Sequence, residues 1–226
     1  MQSVNTLGAR LASAKPFVTQ GGRVIDVGTD HAYLPIALIR EEISSAALAC
    51  DINEGPIASA RENIAAAGLS DRIETRLTDG LHGTEDFSAD DVLIFGMGGE
   101  LIVRILSEAP FVKDNRVGLV LQPMSRASVL RRYLAENGFE IVGEALTFED
   151  KYYQTIAARY SGKCYKLSDV EAWVGAKNIE TRPLLFEGFV RHEIGVFDAI
   201  LKGKAQSINA DVTFETEMKR KLEELL

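Results

Sequence analysis

Residues 23–40 read RVIDVGTDHAYLPIALIR, which places a strand, a turn and a helix in one continuous segment. Arg23–Val27 is short and rich in β-branched residues, which is typical of a buried strand. Gly28 comes next and allows the backbone to turn tightly, because glycine has no Cβ. Leu34–Arg40 then has one apolar and one polar face at helical spacing. Such a segment is the first half of a βαβ unit.

The same alternation of strand and helix continues along the first 160 residues. Further strands are predicted at Ala46–Cys50, Ile73–Leu77, Asp91–Phe95 and Val117–Leu121, and further helices at Pro56–Ala67, Leu101–Leu106 and Arg126–Asn137. Phe139–Thr147 and Tyr152–Tyr160 follow as two strands with no helix between them, which predicts an antiparallel hairpin at the sheet edge. The sequence therefore predicts an α/β fold with a mostly parallel sheet.

From about Ser161 the pattern becomes helical. Ser168 is a candidate N-cap for a short helix that runs through Trp173 and Lys177, and Arg182-Pro183 can begin a longer one. Two sets of apolar residues recur at helical spacing, Leu185, Phe189, Val196 and Ile200, and then Met218, Leu222 and Leu225. With a break between Gly203 and Thr213, these sets predict a helical hairpin. We therefore expect two domains, residues 1–160 and residues 161–226.

Composition restricts the class of protein. The 226 residues are 46% hydrophobic, enough for a buried core, and carry a net charge of −8. No apolar run reaches the roughly 18 residues that a membrane-spanning helix needs. Cys50 and Cys164 are not in metal-ligand spacing, which fits a reducing cytoplasm and no metal site. The acidic total argues against a nucleic-acid coating protein, although a local basic patch is compatible with it.

The polar residues that could bind a ligand or take part in catalysis lie at the ends of the predicted strands. Asp26, Asp30 and His31 surround Gly28 after the first strand. The segment lacks the GxGxxG loop that holds a dinucleotide pyrophosphate, and its carboxylates would repel one. They suit a ligand with positive charge or amino groups. An ordinary turn with solvated charges is the alternative.

Later strand ends add further candidates. Asp51 and Asn53 follow the second strand, where an acidic residue can accept hydrogen bonds from ribose hydroxyls; capping of the next helix is as good an interpretation. Asp79 can bind an adenine amino group or simply hold a turn. Gly96–Gly99 leaves backbone N–H groups and space for a flat ring, or allows a close helix–sheet contact. Gln122 can contact a base edge or cap a turn.

One ligand matches these groups together. S-adenosylmethionine joins an amino acid to a nucleoside through a sulfonium. Its charged end would lie near Asp26 and Asp30, its ribose at Asp51 and its adenine at Asp79. We expect this cofactor rather than NAD, because the glycine fingerprint of NAD enzymes is missing.

Several ordered motifs resemble one family, the bacterial tRNA (adenine-N1)-methyltransferases that modify adenine 22 in the D-arm. The resemblance covers roughly residues 4–160, and its DHAYLP and GMGG segments are the most distinctive. The motifs are Asp26–Pro35 (DVGTDHAYLP), Asp51–Pro56 (DINEGP), Asn63, Gly68–Gly80, Gly96–Gly99 (GMGG), Leu121–Met124 (LQPM) and Glu149–Tyr153 (EDKYY).

The resemblance implies a Rossmann-like methyltransferase domain with a seven-stranded sheet and a helical C-terminal domain. It also implies a set of S-adenosylmethionine contacts, namely Asp26, Gly28, His31, Asp51, Asn53, Asp79, Gly80, Gly96, Met97, Gly98 and Gly99. The C-terminal 60 residues match only in being helical.

The chemistry of the implied reaction points to two catalytic candidates. Adenine N1 carries a lone pair and no proton, so catalysis depends on positioning and desolvation rather than on a general base. The methylated base is cationic, and a nearby carboxylate stabilises that charge. Asp30 is the candidate for this role and His31 for orienting the base; helix capping is the alternative for both. Tyr33, Tyr152 and Tyr153 can stack on a flipped base, or pack in the core.

The RNA must also be held. We expect a basic rim that includes Arg10, Lys15, Arg126, Arg131 and Lys151, with Arg132, Lys163 and Lys166 nearby. These residues are equally well explained as ordinary surface charges. The expected partners are therefore tRNA, no membrane and no obligate protein, with a monomer or weak homodimer in the cytoplasm. The alternatives are a methyltransferase for a small molecule or protein, and a non-catalytic cofactor-binding regulator.

Overall fold

The computed structural model describes residues 7–205 and 211–226. Its strands are β1 (Gly22–Val27), β2 (Ser44–Asp51), β3 (Ile73–Leu77), β4 (Asp91–Gly98), β5 (Gly118–Ser125), β6 (Phe139–Phe148) and β7 (Tyr152–Tyr160). Its helices are α1 (Ala9–Ala12), α2 (Tyr33–Arg40), α3 (Glu54–Ala67), α4 (Gly99–Ser107), α5 (Ala127–Glu136), α6 (Asp169–Val174), α7 (Ala176–Thr181), α8 (Phe186–Lys204) and α9 (Thr213–Glu223).

The seven strands form a single sheet in the order β3-β2-β1-β4-β5-β7-β6. The first five strands pair in parallel, whereas β7 is antiparallel to both β5 and β6. The chain fills one side of β1 with β2 and β3 and then crosses to β4 on the other side. The strand order reverses between β1 and β4, and open α/β sheets bind ligands beyond the strand ends at such a point. The predicted α/β fold with an antiparallel edge hairpin is confirmed.

Helices cover both faces of the sheet. Leu38 of α2 and Ile64 of α3 pack on one face, and Ile102 of α4 and Leu130 of α5 pack on the other. The central strands β1 and β4 are therefore buried on both faces, which explains why they read as continuous apolar runs. Burial of these runs fixes the strand ends that carry the polar groups.

The predicted strands lie within a few residues of the observed ones. The largest differences are at the carboxyl ends, where β4 continues to Gly98 and β5 to Ser125. The glycine-rich segment is therefore the end of β4 rather than a separate loop. Two glycines, Gly68 and Gly138, follow the ends of α3 and α5, and both have positive φ, 71° and 83°, as a left-handed helix end requires.

The predicted single helix from Ser168 to Lys177 is wrong in its extent. Ser168 does cap α6, since its hydroxyl accepts a hydrogen bond from the Glu171 N–H and Glu171 returns one to the Ser168 N–H. The helix ends at Val174, because Gly175 has φ of 96°. A second short helix, α7, then begins at Ala176.

The predicted apolar face of the long helix is also wrong. α8 begins at Phe186, three residues after Pro183, and its buried residues are Phe186, Phe189, Val190 and Phe197. Ile200 is 37% exposed, and only Phe189 belongs to both sets. The large phenylalanine rings, rather than the Leu–Ile spacing, decide which side of the helix is buried.

The last two helices run antiparallel. Lys204 pairs with Glu215 at 2.8 Å, and Asp198 pairs with Lys219 at 2.7 Å. Met218 and Leu222 are buried as predicted. The expected break falls between Lys204 and Thr213, although residues 206–210 lie outside the described part of the chain.

The C-terminal helices pack against the β6–β7 hairpin. Leu146 of β6 and Tyr152 of β7 share one apolar cluster with Val170, Phe189 and the buried face of α9. This cluster is separate from the two that flank the sheet. The division into domains at residue 160 stays a prediction. None of the described helices is long and apolar enough to cross a membrane.

Candidate active site

A cavity of about 400 Å³ opens beyond the carboxyl ends of β1 and β4, where the strand order reverses. Seven of the predicted site residues line it, namely Arg10, Asp26, Gly28, Asp30, His31, Tyr33 and Gly96. They come from α1, β1, the turn before α2 and the end of β4. The fold thus joins groups that lie up to 86 residues apart in the sequence, from Arg10 to Gly96.

The turn after β1 is fixed by backbone geometry. The N–H groups of Gly28 and Thr29 both donate to the carbonyl oxygen of Cys50, each at 2.8 Å. Gly28 has φ of 78°, and a Cβ there would lie 2.3 Å from Cε of Met97. A side chain at this position would therefore strain the backbone and displace Met97. The glycine brings the backbone of β1 to the cavity wall.

Asp26 is the most perturbed acid of the site. Its side chain lies at the end of β1 and the residue is only 6% exposed. Burial raises its pKa to about 6, and the negative charge of nearby Asp51 acts in the same direction. Such a group gains from any cation placed beside it, because the cation compensates for the lost hydration.

Asp30, His31 and Tyr33 form the outer wall of the cavity. The Asp30 side chain is 79% exposed, and its Oδ2 lies 3.5 Å from Nε2 of His31. The rings of His31 and Tyr33 stack at a centroid distance of 5.1 Å. The amide of Asn63 donates to the carbonyl oxygen of His31 at 3.1 Å, which ties this turn to α3. A carboxylate and two rings thus face the same opening.

The glycine-rich end of β4 has two different roles. Gly96 is exposed at the cavity with φ of 80°, so it supplies the open space that the sequence predicts. Gly99 is buried, and a Cβ there would lie 2.4 Å from the carbonyl oxygen of Arg126. The space expected for a ring is absent at Gly99, because this residue makes the close contact between the start of α4 and the turn after β5.

Gln122 is buried and does not face the cavity surface directly. Its Oε1 accepts hydrogen bonds from Nη1 of Arg10 at 3.0 Å and from the Gly96 N–H at 3.3 Å. Its Nε2 donates to the carbonyl oxygen of Pro123 at 3.2 Å. The prediction that Gln122 contacts a base edge is therefore corrected: its polar atoms are used to position Arg10 inside the cavity.

Other predicted cofactor residues lie outside the cavity lining. Asp51 ends β2, where its Oδ1 accepts from the Asn53 N–H at 2.8 Å. Asp79 binds the Arg104 guanidinium through both oxygens, at 2.9 and 3.2 Å, and this hydrogen bonding lowers the pKa of its carboxyl. Gly80, beside it, is buried. The cofactor roles of these residues, and of Met97 and Gly98, stay predictions.

Arg131 was expected on a basic rim, and this prediction is wrong. Its side chain is fully buried, with Nε 2.6 Å from Oε1 of Glu144. Its other nitrogens donate to the carbonyl oxygens of Ala172 and Trp173 and to Oε1 of Gln154. The side chain therefore joins α5, β6, β7 and α6 and has no surface for RNA.

The remaining basic candidates differ in availability. Lys15 is paired with Glu41 at 2.6 Å, and Arg132 is paired with Asp169 at 2.5 Å. Arg126 and Lys151 are exposed. The ion pair of Arg126 is longer than those of Lys15 and Arg132, since its Nε lies 4.0 Å from Glu100. Lys163 and Lys166 are also exposed. The structure thus leaves a shorter basic surface than the sequence suggests.

One exposed apolar side chain, beside Asp51 and outside the cavity lining, was not predicted. Ile52 follows Asp51 directly and is 59% exposed, which is unusual for a large aliphatic side chain at a strand end. An apolar residue after a strand-end aspartate is the signal that could have found it. Among the described residues, no three His, Cys, Asp or Glu side chains are grouped to hold a metal ion.

Comparison with known proteins gives consistent matches. Residues 7–156 match the family model described as "Methyltransferase domain". A tRNA (adenine(22)-N(1))-methyltransferase of Bacillus subtilis is 32% identical over 166 residues, which are 74% of this chain and 65% of that protein. The match thus spans slightly less than two thirds of the Bacillus relative.

Solved structures extend the match to the C-terminal helices. A Streptococcus pneumoniae protein, provisionally described as a tRNA (m1A22) methyltransferase and solved with S-adenosyl-L-methionine, is 32% identical with a TM-score of 0.86. The match covers 97% of this chain and 99% of that one. A Mycoplasma capricolum relative solved with S-adenosyl-homocysteine is 26% identical, with a TM-score of 0.78 and coverage of 97% and 96%. The chain therefore belongs to the methyltransferase-domain family and, within it, to the family of the bacterial tRNA (adenine(22)-N(1))-methyltransferases.

Proposed function

We propose that this protein transfers the methyl group of S-adenosylmethionine to N1 of adenine 22 in tRNA. The observation that carries the proposal is the cavity at the β1–β4 crevice, which gathers Asp26, Asp30 and Gly96. The same fold, over 97% of this chain, holds S-adenosylmethionine in the streptococcal relative.

The residues present fit this cofactor. Asp26 and Asp30 offer carboxylates to its cationic amino-acid end, and Asp51 can accept hydrogen bonds from its ribose hydroxyls. The exposed Ile52 side chain beside Asp51 can cover an adenine ring. A cavity of about 400 Å³ is in the usual range for small-molecule sites.

S-adenosylmethionine supplies an electrophilic methyl group when bound. Adenine N1 needs no general base, so the chain's task is to place the base in line with that methyl and to exclude water. Asp30, at the open side of the cavity, stabilises the positive charge that develops on the base. The stacked rings of His31 and Tyr33, 5.1 Å apart, offer a surface beside it for the exposed adenine.

The target base has to leave the folded tRNA to reach this cavity. Extruding a nucleotide costs a few kcal/mol, which stacking and hydrogen bonds in the pocket must offset. Arg10 can supply such a hydrogen bond, because Gln122 holds its guanidinium in the cavity. The guanidinium lies 5.7 Å from the centre of the Tyr153 ring. Tyr153 itself is buried, so of the three tyrosines considered, Tyr33 is the one exposed at the cavity.

The test is methyl transfer from labelled S-adenosylmethionine to unmodified tRNA transcripts. We expect label in a transcript with adenine at position 22 and none in a matched transcript with guanine there. Label in neither, with cofactor binding intact, would remove the tRNA proposal and favour a small-molecule or protein substrate, or a regulatory role.

Asp30→Asn is expected to lower kcat about 10- to 100-fold, because the neutral amide cannot stabilise the cationic base. The KM for S-adenosylmethionine should change much less, since the buried Asp26 remains. Steady-state kinetics with the adenine-22 transcript measures both values. Asp71→Asn, an exposed aspartate outside the cavity, is the matched control; an equal loss in both variants would show that Asp30 has no special role.

We also infer a cytoplasmic location and a monomeric or weakly dimeric state. The first follows from the tRNA substrate proposed above. Size-exclusion chromatography with light scattering measures the second directly.

A further inference from the structure

A second cleft, of about 250 Å³, lies between the carboxyl end of β5 and the C-terminal helices. The β5–α5 turn contributes Arg126 and Ser128, β7 and the residue before it contribute Tyr152 and Lys151, and α6 and α8 contribute Trp173 and His192. The cleft is distinct from the cavity at β1 and β4, because the two have no lining residue in common.

The cations of this cleft are available. The Arg126 side chain is 70% exposed, its Nε lies 4.0 Å from the equally exposed Glu100 carboxylate, and its backbone is left-handed with φ of 56°. Lys151 is exposed with its Nζ 5.4 Å from the centre of the Tyr153 ring. The first N–H groups of α5 have no side-chain cap at this turn, which adds partial positive charge.

Glu193 is the acidic residue of the cleft lining, and its carboxyl is partly buried and hydrogen-bonded. Oε2 of Glu193 accepts a hydrogen bond from Nε1 of Trp173 at 2.7 Å. Burial raises the pKa of this carboxyl. The carboxylate of Glu193 is thus engaged by the indole, and the exposed charges of the cleft are the two basic side chains.

The cleft-lining rings of Tyr152 and His192 continue a row of aromatic rings that begins at Phe148, outside the lining. The ring of Tyr152 lies 4.9 Å from that of Phe148 and 5.5 Å from that of His192. Phe148 is 52% exposed at the tip of the β6–β7 hairpin, and His192 is exposed on α8. Exposed rings interleaved with basic side chains are the arrangement that binds unpaired nucleotides, by stacking and by phosphate contact.

We propose that this cleft binds a second unpaired nucleotide of the same RNA, near the target base. Its base stacks on the Phe148–Tyr152–His192 row, and its phosphate lies between Arg126 and Lys151. The inference rests on the proposed RNA substrate. Gln122, which holds Arg10 in the first cavity, is four residues before Arg126, so the Cα atoms of Gln122 and Arg126 lie within about 14 Å of each other. That span suits neighbouring parts of one strand.

The protein carries its own reporter, because Trp173 is its single tryptophan and lines the cleft. Adding unmodified adenine-22 tRNA to the wild-type protein should change the emission of Trp173. The double variant Arg126→Gln/Lys151→Gln should raise the KM for tRNA at least tenfold while the KM for S-adenosylmethionine stays unchanged. Its affinity for tRNA should also fall less steeply with salt, because two phosphate contacts are lost.

The matched control is Arg40→Gln/Lys113→Gln, which removes two exposed cations outside the cleft and outside the expected basic rim. The inference predicts a KM for tRNA close to wild type in this variant. Equal increases in both double variants, or an unchanged Trp173 emission at saturating tRNA, would overturn it. Failure of the proposed function is distinguishable, since the wild-type protein would then methylate no adenine-22 transcript at all.

Discussion

Asp26→Asn is expected to stabilise the cofactor-free protein at neutral pH while it weakens cofactor binding. The Asp26 carboxyl is buried, and burial raises its pKa from 3.8 to about 6. An acid whose pKa is higher in the folded state opposes folding once it is ionised. This difference of about 2 in pKa lowers the unfolding free energy of the wild type by roughly 3 kcal/mol at pH 7.5.

The pH dependence has a definite sign. Below pH 3.8 the carboxyl is protonated in both folded and unfolded chains, so the variant and the wild type should differ little. As the pH rises towards about 6, the carboxyl ionises more readily in the unfolded chain than in the folded one. The unfolding free energy of the wild type therefore falls, whereas that of the variant does not. The variant's advantage should therefore grow between about pH 4 and pH 6.5 and then stay constant.

Cofactor binding should change in the opposite direction. Loss of a charged hydrogen-bond acceptor is expected to weaken S-adenosylmethionine binding about 10- to 100-fold. In the wild type the same loss should be seen as the pH falls below 6, where Asp26 becomes neutral.

Thermal unfolding over a pH series, with and without the cofactor, measures both effects. Asp71→Asn is the surface control. An Asp26→Asn protein that is less stable than the wild type at pH 7.5, or that binds the cofactor equally well, would contradict this account.

Arg131→Met is expected to cost about 3–5 kcal/mol of unfolding free energy, because it leaves the buried Glu144 carboxylate without its partner. Glu144 also accepts hydrogen bonds from the Lys177 N–H at 2.9 Å and the Asn178 N–H at 3.4 Å. The single substitution therefore affects the contact of α5 and β6 with both α6 and α7. Chemical denaturation, followed by circular dichroism and by Trp173 emission, measures the loss.

Two variants isolate the cause. Arg132→Met removes the neighbouring arginine, whose ion pair with Asp169 is 38% and 47% exposed, and should cost less than about 1 kcal/mol. Arg131→Met/Glu144→Gln removes the orphaned charge but keeps an acceptor for the Lys177 N–H. It should recover part of the stability. Equal losses at Arg131 and Arg132 would show that burial of the pair is unimportant.

The sheet and much of the cavity could be predicted because their signals are local. β1 and β4 are buried on both faces and read as apolar runs, and glycines mark the positive φ angles at Gly28 and Gly96. In a parallel sheet the carboxyl ends of the strands meet at one edge, so the parallel direction of β1 and β4 was enough to place Asp26 and Gly96 at the same edge.

The failed predictions depend on contacts that a linear reading does not show. Arg131 was expected in solvent because its partner Glu144 and the carbonyls of α6 are distant in sequence. Gln122 was assigned to the substrate because nothing near it in sequence shows that Arg10 would occupy its amide. In α8 two phenylalanines, Phe186 and Phe197, outweighed the aliphatic spacing.

The order β5-β7-β6 has a consequence for synthesis on the ribosome. β6 is made before β7, yet within residues 7–205 and 211–226 the strand that pairs with it is β7, which also completes the edge of β5. Until Tyr160 has left the ribosomal tunnel, a nascent chain exposes one open strand edge on β5 and an unpaired β6. Such edges recruit other chains. Translation pauses that occur after β5 has left the tunnel and before Tyr160 has left it would prolong this interval and favour aggregation, whereas later pauses would act on a closed sheet.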